Sequence, residues 1–179
     1  MDPFQVLGID RRYAVDLARL DKTHRELSRA LHPDRFTAAP PGENRAALSK
    51  AVEVNEAFRV VRDPVRRAEA LFAAHGVRVG ETHEPKASPA FLMEVLERRE
   101  ALADAKAARD VARVRALEAE VRELARAAEA SLGAGFDRQG AGGGDGLQAL
   151  VPVLGELRFY RRFLEEAQAV LDEWDDGAL

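Results

Sequence analysis

The chain has 179 residues, 46% of them apolar and 32% charged, with only 6% aromatic and no cysteine. That length fits one mid-sized domain or two small ones. The missing thiols exclude a disulfide, a thiolate zinc site or a cysteine-ligated iron–sulfur cluster built by this chain alone. The formal net charge of −4 is split unevenly, and neither part has the strongly basic, aromatic-interleaved pattern of a nucleic-acid binder.

Leu, Ala, Glu and Arg dominate, which favours helix over sheet because straight-chain residues lose little rotamer freedom in a helix. No apolar run approaches the length of a membrane span, and Met1-Asp2-Pro3-Phe4 lacks the basic and apolar regions of a leader. A cytoplasmic protein with no cofactor of its own is the expectation.

Asp2 and Pro3 open a helical turn or two over residues 2–9, by cap and first-turn preference. A helix over 16–31 follows, with Asp16 as N-cap. Leu17, Leu20, His24, Leu27 and Leu31 recur every three or four residues and make its apolar stripe. Pro33 ends it. Pro33, Pro40, Pro41 and Gly42 mark a loop over 32–43. The next helix is predicted over 44–62, with Ala47, Ala51, Val54, Phe58 and Val61 on one face. Asp63-Pro64 opens a short fourth helix that ends at Gly76.

Residues 77–87 read as a linker. Ser88-Pro89 repeats the cap-then-proline pattern and predicts a helix to Ala107; another runs over 109–132 on the stripe Val114, Leu117, Val121, Leu124 and Ala128. Residues 133–146 are glycine-rich and predict a mobile loop. The last helix carries Leu150, Val153, Leu157, Tyr160, Leu164, Ala167, Leu171 and Trp174 on one stripe, with Pro152 marking its first turn or kinking it there. Nothing alternates with period two. The expected fold is all-α, in two parts: a helical hairpin unit over 1–76 and a three-helix bundle over 88–179.

Two features carry chemistry. The first is His32-Pro33-Asp34, between two helices. The helix before it bears Lys22, Arg25 and Arg29 on one stripe, and Arg35 follows. Proline stiffens the loop, so His32 and Asp34 have little conformational entropy left to lose on binding. Asp34 is a charge-assisted acceptor, and His32 can donate and accept. Other readings of the same residues are a metal pair completed by His24, an acid–base dyad, or loop punctuation; without the tripeptide, the three cations read as a solvated face.

The second feature is Phe91 to Glu100. Phe91, Val95 and Leu102 form one stripe, Leu92, Leu96 and Ala103 another a quarter-turn away, and Met93 lies further round. This arc is wider than one bundle face needs. It is either an exposed patch rimmed by Glu97, Arg99 and Glu100 or the broad buried arc of a middle helix, and periodicity does not choose between them. On the last helix Phe159 sits at the margin of the main stripe and is the better candidate for exposure than Phe163.

His-Pro-Asp in a loop between helices resembles the J-protein family. His-Pro-Asp-Arg-Phe, Pro64-x-x-Arg67-Ala68-Glu69, Phe-Leu-Met-Glu-x-Leu-Glu-x-Arg-Glu and the late Leu-Arg-Phe, in that order, resemble the HscB family of J-type co-chaperones of iron–sulfur cluster assembly. The resemblance spans nearly the whole chain. It implies a J-domain over 1–76 and a C-terminal bundle, with no catalytic activity of the chain's own. It implies that His32, Pro33, Asp34, Lys22, Arg25, Arg29 and Arg35 meet the ATPase of an HscA- or DnaK-type chaperone. It implies that Leu92, Met93, Leu96, Glu97, Arg99, Glu100 and Phe159 bind the scaffold protein IscU. A monomer is expected, with the surplus apolar surface assigned to that partner. Leu31, where J-domains commonly have an aromatic, and the glycine-rich insert depart from the family pattern.

Overall fold

The computed structural model describes residues 1–36, 40–80, 87–139 and 145–176, and among them there are helices and no strand. The chain divides into two compact units: Met1–Arg78 with Phe136–Gly144, and Val79–Gly135 with Asp145–Leu179.

The first unit contains α1 (Pro3–Leu7), α2 (Leu17–Ala30), a 3-10 turn (Pro33–Phe36), α3 (Pro41–Arg62) and α4 (Pro64–Ala74). The starts of α1, α2 and α4 are fixed by side-chain caps. Asp2 accepts from the Phe4 N–H (3.0 Å), Asp16 from Arg19 (3.0 Å), and Asp63 from both Val65 and Arg66 (2.9 Å each). Each cap satisfies amides that a helix leaves unpaired at its start. Gly8 closes α1 at φ 65°, where a side chain would be strained.

Helix α3 is the centre of this unit and packs against α1, α2, α4 and the 3-10 turn. Its buried face is Ala47, Val54, Ala57 and Val61; Phe4, Leu7, Leu20, Leu71 and Phe72 of the neighbouring helices are buried too. Ala51 and Phe58, on the expected face, are half-buried. Leu17 departs from the expected stripe of α2 and is exposed. Arg67 is buried: its guanidinium lies 4.7 Å from the Tyr13 ring centroid and donates to the Val61 carbonyl at 2.9 Å. Phe136, from the last turn of α6, belongs to this unit and is buried there, 5.0 Å from the Phe72 ring and 5.9 Å from Tyr13.

The loop expected over 32–43 is shorter than that. Its first part is the 3-10 turn, and α3 begins at Pro41 rather than residue 44, because proline is well suited to a first helical position. Residues 37–39 of that loop and 81–86 of the expected linker lie outside the described residues.

The second unit contains α5 (Pro89–Ala107), α6 (Val111–Gln139), α7 (Asp145–Gln148) and α8 (Val151–Asp176). Ser88 caps α5 by accepting from Phe91 (3.1 Å), and Asp110 accepts from Arg113 (2.9 Å) at the start of α6. The three long helices form the expected bundle. Its core includes Leu102 and Ala105 of α5, Val114, Leu117, Val121 and Leu132 of α6, and Leu154, Leu157, Phe163 and Ala167 of α8. Lys106 and Glu173 pair at 3.2 Å between α5 and α8. Pro152 is the second residue of α8, so it marks the first turn, where its missing N–H has no helical partner to lose.

The expected loop over 133–146 is corrected at both ends. Helix α6 continues through Gly133 and Gly135 to Gln139, and α7 begins at Asp145, placing Leu147 in the core. Residues 140–144 of the expected loop lie outside the described residues. The physical reason is packing. A Cβ on Gly135 would overlap the Leu150 methyls, so the glycine permits a close approach whose burial outweighs its poor helix propensity.

Gly155, within α8, is the opposite case, since a Cβ there meets nothing within 4 Å. Gly155→Ala is expected to stabilise the fold by about 0.5–1 kcal/mol through helix propensity. Gly135→Ala is expected to cost about 1 kcal/mol, as Leu150 must leave its rotamer. Urea midpoints of the two variants, shifted in opposite directions, check this.

Candidate functional site

The His32-Pro33-Asp34 turn is set by the end of α2. The Leu31 N–H bonds back to the Leu27 carbonyl (3.0 Å), the His32 N–H to Arg29 (3.5 Å), and the Arg35 N–H to the His32 carbonyl (3.0 Å). Proline at the first position of the 3-10 turn fixes φ there. Both side chains project outward: His32 is 59% and Asp34 85% exposed. The structure brings the two together. His32 Nδ1 lies 3.3 Å from the Asp34 amide and 3.5 Å from its Oδ2. In the neutral ring Nδ1 accepts from that amide, which places the proton on Nε2 as an outward donor.

His24 does not join this pair. It is bonded to Asn55 Oδ1 (2.8 Å) across the α2–α3 hairpin and stacked on Phe58 at 3.9 Å between centroids. It therefore ties the hairpin together. Among the described residues no three His, Cys, Asp or Glu side chains converge as a metal site.

Lys22, Arg25, Arg29 and Arg35 are all exposed. Lys22 reaches Glu26 only at 4.0 Å, and Arg25 and Arg29 have no ion pair among the described residues. The outer face of α2 thus presents Arg25 and Arg29 to solvent with no ion pair among the described residues.

The second candidate surface is on α5. Leu92, Met93 and Leu96 are 51, 57 and 55% exposed, whereas Phe91 and Val95 are half-buried and Leu102 is buried. The two stripes therefore separate. One faces α8 and the other faces solvent, which settles the question that periodicity left open in favour of an exposed patch. Glu97, Arg99 and Glu100 are exposed beside it.

Phe159 is half-buried rather than freely exposed. Its ring lies 5.7 Å from Phe91 at 90°, and it also meets Tyr160 and Phe163. Such edge-to-face arrangements suit the ring quadrupoles. Phe159 is thus held against the residue that precedes Leu92 in the chain. Phe163 is buried.

Beside this aromatic cluster α5 and α8 leave a cavity of about 260 Å³ whose lining includes Phe91, Val95, Gly155, Glu156, Phe159 and Arg162. Burial, and then the negative charge of Glu94, raise the pKa of the Glu156 carboxyl above the usual range. Burial, with the charges of Glu156 and Glu94, also raises that of the Tyr160 phenol. Sequence reasoning did not single out Glu156. Its signal was available: 156, 160 and 163 share one face of α8, so an acid interrupts an otherwise apolar face.

No helix among the described residues is long and apolar enough to cross a membrane. A family model described as the HSCB C-terminal oligomerisation domain matches residues 87–168. A co-chaperone protein HscB homolog from Burkholderia multivorans is 37% identical over 169 residues, covering 94% of this chain and 93% of the relative. One from Cupriavidus taiwanensis is 36% identical over 178 residues, covering 98% and 96%. Among solved structures, the chaperone HscB from Vibrio cholerae superposes with a TM-score of 0.82 at 28% identity, covering 97% of this chain and 99% of that one. The human co-chaperone protein HscB superposes with a TM-score of 0.83 over 94% and 81%; at 23% identity that likeness speaks to the fold alone.

Proposed function

Since the chain belongs to the HscB family of co-chaperones, we propose that it stimulates the ATPase of an HscA- or DnaK-type chaperone and delivers the iron–sulfur scaffold IscU to it for cluster transfer. The first unit meets the chaperone and the second carries the client. The observation that carries the chaperone half is the outward-facing His32-Asp34 pair on a proline-fixed turn, beside Arg25 and Arg29, which have no ion pair among the described residues.

The chemistry follows from those groups. Asp34 offers a carboxylate to an arginine of the chaperone, a bond of the charge-assisted kind. His32 offers its Nε2 donor. Lys22, Arg25, Arg29 and Arg35 steer the turn toward an acidic surface, an effect that salt screens over about 10 Å. Hydrolysis takes place in the chaperone's nucleotide pocket, so this chain supplies contacts and no catalytic group. On the second unit, Leu92, Met93 and Leu96 form the apolar centre of the client surface, Glu97, Arg99 and Glu100 its polar rim, and Phe159 its support across from Phe91.

The test is the steady-state ATPase rate of the chaperone alone, with this protein, with IscU, and with both. Stimulation by the protein, and a further rise with IscU beyond the two separate effects, is the expected result. A rate unchanged in every combination would remove the proposal.

A second reading of the α5 patch is a contact between two copies of this chain, favoured by the matched model's description as an oligomerisation domain. Light scattering across a concentration series separates the two: a monomer leaves the patch to the client, and a dimer broken by Leu92→Ala assigns it to self-association.

A further inference from the structure

The cavity between α5 and α8 has an apolar wall and two charged residues, Glu156 and Arg162, that have no ion pair among the described residues. Phe91, Val95 and Phe159 supply the wall. Glu156 is half-buried and has neither a hydrogen bond nor an ion pair among the described residues. Its neighbours do not answer it. Glu94, on α5, repels it, and Arg98, whose charge acts on Tyr160, is engaged with Glu94 at 3.0 Å. Arg162 lines the cavity but is six residues further along α8, about 9 Å of helix rise away, and is exposed. The negative charge of Glu156 also acts on the Tyr160 phenol.

A carboxylate partly withdrawn from water with no partner is unfavourable in the free protein. The space beside it is open, since a Cβ built on Gly155 touches nothing. The group that repays this cost best is a cation. A lysine or arginine also fits the walls, because its aliphatic stem lies along apolar surface and its head can sit over an aromatic ring. The cavity walls Phe91 and Val95 are interleaved along α5 with the exposed Leu92 and Leu96, so the patch and the cavity share one stretch of that helix.

We propose that this cavity seats a lysine or arginine side chain of the client scaffold, flanked there by an apolar residue, with Glu156 as its counter-ion and Phe91 and Phe159 as its walls. This deepens the client half of the proposed function and rests on it. It makes Glu156 a group that favours the complex at the expense of the free fold, an opposition that an ordinary packing residue does not show.

The experiment is calorimetric titration of IscU into the full-length protein, Glu156→Gln, Glu156→Lys and Leu92→Ala/Leu96→Ala, at about 50 and about 300 mM salt, with a thermal melt of each protein. Glu156→Gln is expected to weaken IscU binding about five-fold, the scale of one partly desolvated ion pair, and Glu156→Lys about ten-fold or more. Both are expected to lose part of the parent's salt dependence. The melting temperature of free Glu156→Gln is expected to stay level or rise by about 1–3 °C. Unchanged or tighter binding by Glu156→Gln, while Leu92→Ala/Leu96→Ala still loses affinity, overturns the cavity assignment and leaves the client reading standing. A fall in melting temperature that accompanies the loss of binding makes Glu156 a packing group and overturns it as well. No binding of IscU by the parent protein overturns both.

Discussion

His32→Gln is expected to lower stimulation of the chaperone ATPase about ten- to hundred-fold, or about 1.4–2.7 kcal/mol of docked-state stabilisation. The substitution is chosen for what it retains. A glutamine carbonyl can still accept from the Asp34 amide, as His32 Nδ1 does at 3.3 Å, so the turn keeps its local bond. Pro33 and the backbone bonds from Leu31 to Leu27 and Arg35 to His32 are untouched. What is lost is the ring with its Nε2 donor. Because the side chain is exposed, stability should change by no more than about 0.5 kcal/mol. Affinity for IscU should match the parent's. ATPase rates measured beside far-ultraviolet circular dichroism and IscU titration check all three statements. A variant that stimulates as well as the parent would reduce the tripeptide to loop punctuation.

Leu92→Ala/Leu96→Ala should show the complementary pattern. The two side chains are half exposed in the free protein, so removing them opens no cavity in the bundle, and the melting temperature should hold. Against the client, loss of two apolar anchors at an interface centre is expected to cost about 2–4 kcal/mol, which is about 30- to 1,000-fold in affinity. Basal stimulation of the chaperone should survive, while the extra stimulation contributed by IscU should vanish. Titration calorimetry and the ATPase assay read these two outcomes separately. IscU affinity unchanged in the double variant would move the client surface elsewhere.

Much of this architecture was legible in the sequence where local chemistry decides it. Asp16, Asp63 and Ser88 cap the helices they were expected to cap, and Pro64 and Pro89 stand at first helical positions. Those features need only the residues within a turn of each other. The division of α5 into inner and outer stripes was legible as a pattern. Which stripe faces solvent was not, because that depends on how much of the arc α8 covers. The glycine-rich stretch misled for the same kind of reason. Gly133 and Gly135 read locally as loop, yet Leu132 and Phe136 continue the buried face of α6 and are held by tertiary contacts. Glu156 lay in plain view as an acid on an apolar face. Its half-burial, with no partner among the described residues, depends on how α5 packs beside it.

Phe136 has a consequence for how the molecule is made. Its ring sits against Phe72 and Tyr13 within the first unit, although about sixty residues separate it from Phe72. During synthesis the N-terminal helices leave the ribosome well before it, so their aromatic core waits for a residue translated later. A fragment cut after residue 78 carries the whole helical hairpin but leaves the Phe72 edge uncovered, and should be less stable than the same helices in the intact chain.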